Sequence, residues 1–192
     1  MRMSAWITAL IFAVAGLGMA AHAQEMAADK KAPPKPASSA TQAVLDQWND
    51  IGRKLIAMAE DFPEDKYDFK PAPTVKSFAE RLIHAAHANY FFTNVVLGQK
   101  APEMNDPSRE QYKTKADVAA FVKKSFADGA AALKKKGDAG MSDLVVDPFE
   151  NQQTRISDFA YGFVEHSGEI YGQLTVYYRA AGLVPPESRP KK

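Results

Sequence analysis

The residues best suited to chemistry in this 192-residue chain are three histidines, His84, His87 and His166. His84 and His87 are three apart, which on a helix sets them near one face. His166 lies among Phe159, Phe163, Ile170 and Gln173. Neutral imidazole is the commonest protein metal ligand, and imidazoles on facing helices are a standard way to build a metal site in a bundle. A histidine buried for structure alone does less: it donates one proton to a carbonyl or carboxylate and is satisfied. Both readings stand at this point. Glu80, Glu165 and Glu169 each fall within one turn of a histidine. They are candidate catalytic carboxylates or, more plainly, solvated helix surface. There is no P-loop, dinucleotide-binding glycine fingerprint, nucleophile elbow or His-Glu-x-x-His. With no cysteine there is also no thiol nucleophile, redox pair or thiolate ligand.

Four helical patterns must position these side chains. In the first, from about Thr41 to Asp61, Val44, Trp48, Ile51, Leu55 and Ala59 recur at four- and three-residue steps, and Pro63 closes it. A proline-bearing connection follows. Ser77-x-x-Glu80 is a capping box that opens the second helix, which runs to Leu97 and stops at Gly98. From Leu82 onward it is apolar almost all round, as a buried helix is. Thr114 caps the third, with Asp117 in its first turn and Val118, Phe121, Val122, Ser125, Gly129 and Leu133 inward. Lys134, Lys135 and Lys136 suit its C-terminus and read as a solvated helix end. A loop from Gly137 to Gln153 shows little alternation, and no strand is expected anywhere. The last helix, about Arg155 to Ala181, buries Ile156, Phe159, Phe163, Ser167, Ile170, Leu174, Tyr177 and Tyr178 before Gly182 and Pro185-Pro186 end it. The fold class this predicts is all-α, a four-helix bundle over residues 41–186 with a disordered tail at 187–192.

The N-terminus reads as a secretory signal. Arg2 precedes an apolar run from Ala5 to about Met19, and Ala21-His22-Ala23 places cleavage before Gln24. A spanning helix takes about 20 apolar residues, whereas this run is shorter and holds Gly16 and Gly18. Residues 1–23 are thus expected to be removed, His22 with them, leaving an exported, periplasmic or secreted protein with no membrane contact. Residues 24–40, rich in Ala, Pro, Lys and Ser, read as a flexible spacer. A chain exported without cysteine relies on packing for stability. Beyond the signal, Lys and Arg equal Asp and Glu, 23 of each once Arg2 is removed from the 24 basic residues. That balance gives no electrostatic case for a nucleic-acid partner.

Two segments resemble one family. Tyr67-Asp-Phe-Lys-Pro-Ala-Pro followed by Ser77-Phe-Ala-Glu-Arg-Leu-Ile-His84-Ala-Ala-His-Ala-Asn-Tyr-Phe-Phe is similar to the DinB-like superfamily, and so is the stretch from His166-Ser-Gly-Glu-Ile-Tyr to Pro185-Pro186. The resemblance spans roughly residues 42–186. It implies a four-helix bundle, often a homodimer, holding a divalent metal on three histidines. One falls on His84, in the Ser-x-x-Glu-x-x-x-His context. The other two form His-x-x-x-His in the last helix: the first is His166, but the second falls on Ile170, which cannot bind a metal. His87 or Glu169 could complete the set, although neither matches the family position. The metal, zinc, nickel or iron, is accordingly expected to be weak or absent. Characterised relatives include metal-dependent transferases and isomerases that act with low-molecular-weight thiols, which are scarce outside the cytoplasm. Two functions follow as alternatives: a binding protein with a degenerate or altered histidine site and an unknown small-molecule ligand, or a transferase or hydrolase-type enzyme with a divalent metal on His84 and His166.

Overall fold

The computed structural model describes residues 39–190. The expected signal peptide (residues 1–23), residues 24–38 of the expected spacer and residues 191–192 lie outside the described residues. Four helices make up most of the rest: α1 Ala40–Asp61, α2 Phe78–Val96, α3 Lys115–Gly140 and α4 Ile156–Ala180. Their starts are fixed by side chains that satisfy otherwise unpaired N–H groups. Ser39 Oγ accepts from Gln42 N at 3.1 Å, so α1 starts one residue before Thr41, at Ala40. The Ser77/Glu80 capping box forms in full, with Ser77 N donating to the Glu80 carboxylate at 2.6 Å. Thr114 and Asp117 form a second box. Gly98 ends α2 at φ 71, and Gly137 interrupts the last turn of α3 at φ 61. Both angles fall where glycine is favoured over L side chains.

The absence of strands expected from the sequence is corrected. Leu144–Val146 (β1) and Gln153–Arg155 (β2) pair antiparallel, with Val145 opposite Thr154. Three residues per strand leave little alternation to read. The pattern is also inverted, since apolar Leu144 and Val146 face outward. The tail expected from 187 onward is likewise ordered as far as it is described. Pro186–Ser188 form a short turn, and Arg189 donates to both carboxylate oxygens of Asp61 at 2.7 and 2.5 Å.

Each helix packs mainly against two others: α1 and α2 both lie against α3 and α4. End-to-end contacts set the directions. Thr41 N bonds Asp138 at 2.9 Å and Lys115 Nζ bonds Phe62 O at 2.9 Å, so α3 runs antiparallel to α1. Tyr178 OH donates to Met58 O at 3.0 Å, so α4 ends where α1 ends. His84 meets His166 while Phe92 meets Phe159, so α2 runs antiparallel to α4. It follows that α2 and α3 run the same way. The connection 97–114 must therefore travel back along the bundle, the arrangement of bundles with a long crossover.

The core is aromatic and tight. Trp48 is fully buried, donates its indole N–H to Phe126 O at 2.9 Å, and lies directly over Gly129. At the other end Phe62 stacks on Phe78 with centroids 3.8 Å apart, and Tyr178 meets both edge-on. Tyr67, from the proline-bearing connection, is buried with them and donates its hydroxyl proton to Ala59 O.

Candidate functional site

Between α2 and α4 lies a cavity of about 450 Å³. Its lining runs along both helices, from His84 to Phe91 on α2 and from Asp158 to His166 on α4. From Asp158 to His166 α4 rises roughly 12 Å at about 1.5 Å per residue. One end is made of His84, His87 and His166. The middle is apolar: Ala88 and Phe91 from α2, Phe159, Gly162 and Phe163 from α4. The crossover connection supplies one rim with Met104 and Asp106, and the β1–β2 turn supplies another with Asp147, Phe149 and Glu150. Phe149 reaches over the groove, 5.0 Å from Phe91 and 6.4 Å from Phe163 between ring centroids.

The polar end is organised by Asp106. His84 Nδ1 lies 2.9 and 3.1 Å from its two oxygens, His87 Nδ1 lies 3.3 Å away, and Lys76 Nζ donates at 2.6 Å. A carboxylate accepts only, so Nδ1–H of His84 is the donor. Burial pushes the Asp106 carboxyl up, but the bonds from Lys76 and His84 outweigh it and hold the group below the usual carboxylate range. The His84 and His166 rings meet edge to face, with centroids 5.2 Å apart. Burial first, and the neighbouring His84 second, hold His166 below the ordinary imidazole range.

Three of the four residues singled out from the sequence come together: His84, His166 and His87. Glu169 does not join them. Its side chain is 65% exposed and approaches His166 Nδ1 only at 3.8 Å. Glu80 closes the capping box and pairs with Lys70 at 3.5 Å, a structural role, while Glu165 is exposed and outside the cavity. Ile170 is 1% exposed, belongs to the hydrophobic core and does not line the cavity. Sequence reasoning missed Asp106 and Phe149. Both reach the site from irregular connections, where no periodicity marks a residue; the Asp-Pro pairs at 106–107 and 147–148 signal a turn rather than a site.

This donor set does not fit the three-imidazole metal centre that the family resemblance implies. Position 170 carries a buried alkyl side chain. The carboxylate closest to the imidazoles is already engaged by a lysine and two histidines. Among the described residues, no group of three or more His, Cys, Asp or Glu side chains is gathered to hold a metal ion.

Four helices with one long crossover, folded around a groove edged by histidine, define a class of helical-bundle protein. The model of the DinB superfamily matches residues 47–174, and the chain belongs to that superfamily. The sequence resemblance and the all-α bundle are thereby borne out. A crystal structure of a DinB-like protein from Bacillus cereus ATCC 10987 shares the fold, with a TM-score of 0.64 at 18% identity over 76% of this chain and 95% of that one. No curated protein sequence matches.

Proposed function

We propose that this is an exported small-molecule-binding member of the superfamily, in which the groove between α2 and α4 is the binding site and the metal position is degenerate. The observation that carries this reading is the cavity itself: about 450 Å³, walled by phenylalanine, with three imidazoles and Asp106 at one end and further carboxylates at its rim. Cavities of this size with apolar walls and few polar groups are the usual form of a small-molecule site. Export rests on the N-terminal pattern ending at Ala21-His22-Ala23. N-terminal sequencing of exported material is expected to begin at Gln24; an intact Met1 would contradict it.

Gly162 provides the test of the pocket. It lines the cavity, and a Cβ added there meets nothing within 4 Å. Gly162→Leu therefore fills the groove without disturbing the core, and it replaces a poor helix former with a good one. Nile red, a neutral dye that brightens in apolar sites, is expected to bind the wild type and not Gly162→Leu, with the far-UV circular dichroism of the two alike. Equal dye binding by both proteins would contradict the reading.

One observation favours a second reading. A carboxylate-held imidazole, as in His84–Asp106, is also what a metal-dependent transferase or hydrolase would present. Tight zinc dependent on His84 is the mark of that alternative.

A further inference from the structure

We propose that the ligand of this cavity is an organic cation, an aromatic or alkyl body whose amine lies at the rim that carries Asp147 and Glu150. The inference rests on the pocket reading above and deepens it. Four carboxylates line the cavity (Asp106, Asp147, Glu150 and Asp158), and no lysine or arginine does. Two of them are answered from outside: Asp106 by Lys76 at 2.6 Å, Asp158 by Arg155 at 2.7 Å. The other two are not. Asp147 accepts only backbone N–H bonds, from Phe149 at 2.7 Å and Glu150 at 3.4 Å. Glu150 makes no ion pair among the described residues. The uncompensated charge thus lies on the β1–β2 turn at the cavity rim.

The carboxylates share the cavity lining with aromatic walls, Asp147 half-buried and Glu150 and Asp158 exposed at the rim. Phe149, between Asp147 and Glu150 in sequence, has its ring near those of Phe91 and Phe163. Aromatic faces attract a cation, and low-dielectric walls focus the field of nearby carboxylates. A bare metal cation would leave the apolar walls unfilled. An organic anion would fill them but meet two unanswered carboxylates. A neutral apolar molecule would use the walls and ignore the charge. A cationic head on an apolar body uses both.

Three probes of one size and different charge test this: 2-naphthylmethylammonium, 2-naphthylmethanol and 2-naphthoate, titrated into the purified chain and followed by naphthyl fluorescence anisotropy. The ammonium is expected to bind about tenfold tighter than the alcohol, a factor worth about 1.4 kcal/mol, and the carboxylate weakest. Glu150→Gln, at an exposed side chain without partners, is expected to reduce the ammonium preference about two- to fivefold, the range of a partly exposed ion pair. Added salt should shrink it as well. Gly162→Leu should abolish binding of all three. Equal binding of the three probes, lost in Gly162→Leu, would overturn the charge assignment while leaving the pocket standing. Tightest binding of the carboxylate would overturn it too. Failure of every probe, or binding unchanged by Gly162→Leu, would overturn the pocket reading and this inference with it.

Discussion

Ile170 is one helical turn after His166, so the two side chains leave α4 in the same direction. In the family resemblance that position carries the third imidazole; here it is an alkyl group packed into the core. Two imidazoles from facing helices remain, with ring centroids 5.2 Å apart. Changes in the outer shell of a metal site commonly cost about 10–100-fold in affinity, and a missing ligand costs at least as much. Ile170→His is therefore expected to tighten zinc or nickel binding at least about tenfold, read by competition with a chelator. Because the substitution puts a polar ring in the core, a melting curve accompanies it, so that lost folding is told apart from lost geometry. No gain in a folded variant would show that α2 and α4 do not bring His84 and His166 to a common metal position. Periodicity made His84 and His166 legible as helix residues, and the family resemblance, not the periodicity, joined them as a pair. Asp106, which holds His84 and His87, was not. It arrives from a connection whose path depends on α2 and α3 being parallel, and no local residue pattern states that.

At the scale of elements, the same residue type has opposite worth in two helices. A Cβ on Gly129 would lie 2.1 Å from Trp48, against a ring locked by its bond to Phe126 O. A Cβ on Gly172 would meet nothing within 4 Å. Helix propensity alone favours alanine over glycine by about 1 kcal/mol, whereas overpacking a tight core costs about 1–3 kcal/mol. Gly129→Ala is thus expected to destabilise the protein and Gly172→Ala to stabilise it by about 0.5–1 kcal/mol, both measured by denaturant unfolding. A stabilising Gly129→Ala would mean that α1 and α3 are less closely packed than described. The helices themselves were readable, capping boxes included, because caps and 3.6-residue periodicity are local signals. The β1–β2 hairpin was not: its strands are three residues long and turn Leu144 and Val146 to solvent. Yet its turn places Phe149, Asp147 and Glu150 on the cavity, so the least legible element furnishes the rim proposed to hold the amine.

Across the whole molecule, the chain end is strapped onto the first helix. Arg189 grips Asp61, and Glu187 bonds Arg53 at 2.6 Å. The Arg189 bond is the main reason that the Asp61 carboxyl lies below its ordinary value of 3.8, despite partial burial. A depressed carboxylate stabilises the fold above the unfolded value and loses that contribution as pH falls through the folded one. Melting temperature is thus expected to drop below about pH 4, and Asp61→Asn should flatten that limb of the profile. An unchanged acid limb in the variant would assign the pH dependence elsewhere. The histidine end is either a working metal centre or part of an organic ligand pocket. Competition titration of zinc against a chelator, on wild type beside His84→Ala, separates the two most directly. The account predicts weak zinc in the wild type, little altered by His84→Ala; tight stoichiometric zinc that His84→Ala abolishes would contradict it.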